Sequence, residues 1–227
     1  MEDFGASQTG VSFGRYYKVS TGNYNFVALS EPTEGSANAY PKVGPVVISE
    51  IMYNPDWPVG GSYTDEQYEY IKLTNISSSP VVLYDDMTSL SWKITGGIEF
   101  TFPQDLPVVM GAGTSLYVAR YPGAFSWRYP DIPSGQIYGP YEGALSNAGD
   151  SIELSMPGEV DGLGGGYYIR IDRVNYSDGS HPEDNPGGVD LWPAQADGVG
   201  YSLVRKELSD YGNDPDNWLA ATPSPAD

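Results

Sequence analysis

The sequence predicts an all-β protein, an antiparallel sandwich or barrel with long loops. Glycine (28) and proline (19) make up about 21% of its 227 residues, against a usual share of about 12%, which excludes long helices. Apolar residues still form 40% of the chain. They fall in short runs bounded by turn residues, and no long stretch keeps a helical period.

The first confident strand is 46–52 (VVISEIM), rich in β-branched residues and closed by the turn Tyr53-Asn54-Pro55-Asp56. In 68–74 (YEYIKLT), Tyr68, Tyr70 and Lys72 lie on one face and Glu69, Ile71 and Leu73 on the other. Both faces carry large side chains, so the alternation does not say which one meets the core. A serine-rich turn leads to a strand over 81–84, and 90–95 (LSWKIT) follows. Gly96-Gly97 is the strongest hairpin turn of the chain and opens 98–102 (IEFTF). Residues 108–110 and 115–119 are the next strands; a loop rich in proline and aromatic residues covers 121–141. Strands over 151–156, 167–174 and 201–205 complete the set, with single helical turns expected at 144–148 and 217–221. Trp92 and Trp218 are read as core.

Thirty acids face eleven bases, for a net charge of −19. This opposes binding to nucleic-acid phosphates and to anionic membranes. No apolar run is long enough to span a bilayer. Without cysteine there are no disulfides, thiolate nucleophiles or cysteine-held zinc. Common zinc-protease and phosphate-loop motifs are absent. The single histidine, His181, sits in an acidic loop and reads as solvated.

Residues 1–44 stand apart. They carry four acids and three bases, so the other 183 residues hold a net charge of −18. They also look like a partial copy of the C-terminus. Gly10-Val11-Ser12-Phe13-Gly14-Arg15 parallels the stretch ending Gly200-Tyr201-Ser202-Leu203-Val204-Arg205; Asn25-Phe26-Val27-Ala28 parallels Asn217-Trp218-Leu219-Ala220. A proline-containing exit follows each copy. The expected division is 1–44 as the tail of a preceding similar repeat, or a linker that packs on the sandwich, and 45–227 as the domain proper. The first residues, Met1-Glu2-Asp3-Phe4-Gly5, lack the basic and apolar regions of a signal peptide. With the repeat, this favours a piece of a longer secreted chain over a cytosolic protein.

Over about residues 45–227 the chain resembles the bacterial type of lamin-tail domain. The resemblance is carried by 46–55, by Glu69-Tyr70-Ile71-Lys72-Leu73-Thr74-Asn75, by Ser91-Trp92-Lys93-Ile94, and by Asn147-Ala148-Gly149-Asp150 with the strand after it. Trp192-Pro193, 196–203 and Asn217-Trp218 complete it. It implies an immunoglobulin-like β-sandwich serving as a structural and binding module, found in bacteria in large secreted or surface proteins, sometimes in tandem. The family brings no general catalytic set. This chain departs from shorter members in its long 121–141 and 178–197 loops and in its acidity, which argues against carrying over DNA or chromatin binding.

The function expected is therefore noncatalytic: a structural or protein-interaction module of an extracellular or cell-surface protein, with neighbouring domains of the same polypeptide, another protein or a glycan as partner. Loop aromatics offer an alternative. Trp127, Tyr129, Tyr121 and Tyr138 are candidate sugar-stacking residues, although large loops also need aromatics to pin them down. Acidic loops offer candidate oxygen ligands for a structural calcium ion: Asp178, Glu183, Asp184 and Asp190 in one, Asp56 and Asp65 in another. Their spacing matches no EF-hand. A hydrolase would need two convergent carboxylates in a cleft, and nothing singles out a pair.

Overall fold

The computed structural model describes residues 5–58, 60–160, 166–223 and 225, with every side chain among them except that of Asp184. Its strands run, in chain order, β1 (Phe13–Lys18), β2 (Asn23–Ala28), β3 (Val46–Met52), β4 (Tyr70–Asn75), β5 (Val81–Val82), β6 (Tyr84–Asp85), β7 (Leu90–Ser91), β8 (Lys93–Gly96) and β9 (Ile98–Thr101). After these come β10 (Val109–Met110), β11 (Ser115–Ala119), helix α1 (Pro122–Arg128), β12 (Ile137–Tyr138), β13 (Glu142–Gly143), β14 (Gly149–Val160), β15 (Gly166–Ser177), β16 (Ser202–Arg205) and β17 (Trp218–Ala221).

Two sheets form an antiparallel sandwich. One has the order β12-β11-β4-β3-β16-β17, the other β13-β9-β8-β14-β15. All pairings within them are antiparallel except β11 with β12. Between the sheets lies the main core: Ile48, Ile51, Ile71, Leu73 and Leu203 from the first, Ile94, Ile152, Leu154 and Val174 from the second. Trp92 and Trp218 are both in it, as predicted.

The predicted Gly96-Gly97 turn joins β8 to β9. Gly96 has φ +109, and a Cβ there would stand 2.0 Å from the Ser151 carbonyl oxygen, so only glycine fits. The ambiguity of 68–74 also finds its cause. Ile71 and Leu73 face the main core. Tyr70, on the opposite face, belongs to a second cluster with Met52, Tyr117, Phe125 and Ile132. β4 is buried on both faces because α1 and the chain after it cover the outside of the sheet.

Three expectations are corrected. The 121–141 segment is not all loop: it holds α1, a 3₁₀ turn at Ser134–Gln136 and β12. Pro122 occupies the first helical turn, where its missing N–H costs nothing; seven residues are too few to display a period. Residues 218–221 form the edge strand β17 rather than a helical turn, which falls just before it at 215–217. No helix forms at 144–148. In addition, 81–84 is interrupted at Leu83, whose side chain drops into the core.

Candidate functional site: the docked hairpin and its groove

Antiparallel β1 and β2 form a hairpin, with Phe13 opposite Ala28, Arg15 opposite Phe26 and Lys18 opposite Asn23. Gly22, at φ +69, supplies the left-handed turn residue. The hairpin has two unequal faces. Gly14 and Val27 are buried, whereas Arg15, Tyr17 and Tyr24 on the other face are exposed.

The buried face packs on the loop between β16 and β17. Val27, Leu29 and Tyr211 form a small core of their own, with Tyr16 and Ala39 against it. Tyr16 meets both Tyr40 and Tyr211 edge-on, with ring centroids 5.3 and 5.7 Å away. Polar groups fix the register of the dock. The Tyr211 N–H donates to the Tyr40 hydroxyl at 2.8 Å and Asn25 Nδ2 to the Tyr211 hydroxyl at 3.0 Å. Lys18 Nζ donates to the Asn213 carbonyl at 3.1 Å, and the Ser20 hydroxyl to Asp214 at 2.5 Å. Burial, with Tyr40 and Asp214 nearby, pushes the Tyr16 hydroxyl up to about 12. Burial lowers the Lys18 ammonium, against the pull of Asp214.

Beside the dock runs a groove of about 690 Å³. The hairpin forms one wall, with Lys18 and Tyr24; β15 and the loop after it form the other, with Arg170, Arg173, His181 and Trp192. The sequence offers 1–44 as a segment that packs on the sandwich, but no pattern in it points to this groove. Its walls lie some 150 residues apart in the chain, and only the register of the dock brings them together.

The predicted site residues are distributed as follows. Trp127 is 47% and Tyr121 44% exposed; Tyr129 and Tyr138 are half-buried. Trp127 leans on Tyr68 and Tyr121 on Tyr63, with ring planes tilted by 48° and 49°. Tyr129 stacks inward on Phe125 and Tyr70, and Tyr138 on Phe102. Among the described residues of this region, the largely exposed aromatics are Trp127, Tyr121 and Trp57.

The acids serve their own loops. Asp190 accepts from the Ser177 hydroxyl at 2.5 Å and from the N–H groups of His181 and Trp192 at 3.1 and 3.0 Å. Asp178 accepts from the Ser180 N–H at 2.8 Å. Glu183 lies 3.1 Å from His181, and its own N–H and that imidazole hold its carboxyl below the usual range. The Asp184 side chain is outside the described residues. Asp56 pairs with Arg128 at 2.5 Å, and Asp65 is exposed in the first turn of a short 3₁₀ helix. Among the described residues, no three carboxylates or imidazoles converge as metal ligands would.

Besides Asp214 in the dock, Glu50, Glu69 and Asp172 are buried, and each has structural partners. Glu50 accepts from the Tyr70 and Ser202 hydroxyls at 2.5 and 2.7 Å. Glu69 accepts from Arg120, Tyr141 and the Leu145 N–H at 2.8, 2.7 and 3.0 Å. Asp172 pairs with Arg205 at 2.7 Å.

No known family's sequence pattern matches the chain, and no curated protein matches it.

Proposed function

We propose that this chain is a noncatalytic structural and interaction module of lamin-tail type within a larger extracellular or surface protein. In this reading residues 1–44 are the closing segment of a preceding similar unit, clasped onto this sandwich. The observation that carries the reading is a match of register. Arg15 pairs with Phe26 and Phe13 with Ala28 in β1–β2; Arg205 pairs with Trp218 and Leu203 with Ala220 in β16–β17. These are the same partners that the sequence repeat aligns. Gly10 and Gly200, at matching positions of the two copies, both have positive φ, +82 and +84.

The clasp also suits a spacer role. A docked hairpin fixes the angle between successive units, which a free linker does not. The charge of −18 on the other 183 residues keeps such a surface from nucleic acid and anionic membranes.

The test is removal of residues 1–40. Loss of the Val27–Leu29–Tyr211 core should lower the melting temperature by at least about 5 °C, since 1 kcal/mol is worth roughly 2–4 °C at this size. An unchanged melting temperature overturns the clasp.

A further inference from the structure

We propose that the groove between the docked hairpin and β15 is a binding site for an acidic oligosaccharide, with a uronate carboxylate held by the arginines and a sugar ring against Tyr24. The inference needs the hairpin docked but does not depend on residues 1–44 belonging to a preceding repeat.

Charge placement is the first support. The whole chain has eleven lysines and arginines, and three of them, Lys18, Arg170 and Arg173, line this one groove together with the single histidine. A strongly acidic protein repels anions over most of its surface, so cations gathered in a concavity single out where an anion is tolerated. Arg173 uses Nε on Asn175 at 2.8 Å, and Arg170 lies 3.6 Å from Glu153. A guanidinium carries five donors in a planar fork suited to a carboxylate. Asp190 also lines the groove; its oxygens are occupied by the Ser177 hydroxyl at the end of β15 and by two N–H groups of its own loop.

The second support is the neutral lining. Tyr24 is 62% exposed, an aromatic face at the rim where the apolar C–H face of a pyranose can lie. Asn23, Asn25, Asn175 and Asn185 add amides, which both donate to and accept from sugar hydroxyls. Thr21 also lines the groove. It is 7% exposed, and its hydroxyl has no hydrogen-bond partner among the described residues. Leaving a buried hydroxyl unpaired is costly, and a ligand hydroxyl is the kind of group that would satisfy it. The volume of about 690 Å³ lies within the range of small-ligand sites, roughly 300–1,000 Å³.

Isothermal titration of the intact chain tests the proposal, using a linear uronic-acid tetrasaccharide, its neutral hexose counterpart and inorganic sulfate. The acidic tetrasaccharide should bind at least about tenfold more tightly than the neutral one and than sulfate, and weaken with added salt. Arg173→Ala should lose about tenfold or more, and Tyr24→Ala several-fold, with melting temperatures unchanged because both side chains reach the surface. Absence of binding, equal binding of the neutral sugar, equal binding of sulfate, or full affinity in both variants each overturns it. Removing residues 1–40 should abolish binding by taking away a wall. The melting temperature of that truncated chain reports on the clasp separately from the ligand.

Discussion

Arg205 and Arg15 occupy the same position in the two hairpins, yet one should be among the most sensitive residues of the chain and the other nearly silent. The Arg205 side chain is fully buried. It pairs with Asp172 at 2.7 Å and donates to the Ile48 carbonyl at 3.2 Å and to the Asp210 carbonyl. Asp172 in turn accepts from the Ile48 N–H at 2.9 Å. The pairing of β3 with β4 slips between Ile48 and Glu50, and the ion pair serves both backbone groups of the residue at that break while tying one sheet to the other. Arg205→Ala strands a buried carboxylate and two carbonyls, a change that costs about 3–5 kcal/mol. At roughly 2–4 °C per kcal/mol, the melting temperature should fall by about 6–20 °C. Arg15 is exposed, so Arg15→Ala should stay within about 0.5 kcal/mol of the parent. Calorimetric melting at neutral pH of the two variants beside the parent decides it. A loss under 2 °C for Arg205→Ala, or an equal loss for Arg15→Ala, refutes the reasoning.

Phe125→Ala removes a fully buried ring of α1 that lies 5.1 Å from both Tyr70 and Tyr117. It should cost about 3–5 kcal/mol in denaturant unfolding, and a loss below 1 kcal/mol would make α1 an accessory rather than the cover of β4. Glu69 supplies a pH prediction. Burial raises its carboxyl above the usual 4.5, against the opposing effect of Leu145, Tyr141 and Arg120. The folded state therefore holds this proton more tightly than the unfolded chain. That contribution to stability is complete below the ordinary carboxylate value and is lost as pH rises through the raised one. Glu69→Gln should flatten this part of the stability profile, and an identical slope in both proteins would exclude Glu69 as its source.

Much of the sandwich was legible because its strands carry local signals. Residues 46–52 and 115–119 are β-branched or aromatic runs with clear turn boundaries, and both are strands at or very near those bounds. What failed was whatever depends on a distant neighbour. The four residues of β17 have no alternation of their own; they extend because β16 lies beside them with Leu203 opposite Ala220. Phe125 looked like one aromatic among many in a loop, and only the outer face of β4 turns it into core. The groove had a weaker signal still. Lys18, Arg170 and Arg173 are unremarkable separately, and three bases out of eleven acquire meaning only when the fold gathers them.

The N-terminal segment also bears on a problem that the sandwich creates. β15 is twelve residues long and lies at the edge of its sheet, and a long open edge is a template for pairing with other chains. Two contacts reach the backbone along that edge. Ala6 makes a parallel bridge to Ile169, and the Asn213 side chain accepts from the Asn175 N–H at 2.8 Å. Asn213 belongs to the same loop on which the hairpin docks, through Lys18 and its backbone carbonyl. The edge cover and the dock therefore share residues, and the two should fail together. Cutting away residues 1–40 removes the Ala6 bridge outright and releases the loop that holds Asn213. The truncated chain should then show concentration-dependent association as well as a lower melting temperature. A charge on the exposed edge, such as Ile169→Lys, should suppress the association without restoring the melting temperature, because repulsion blocks strand pairing but rebuilds no core.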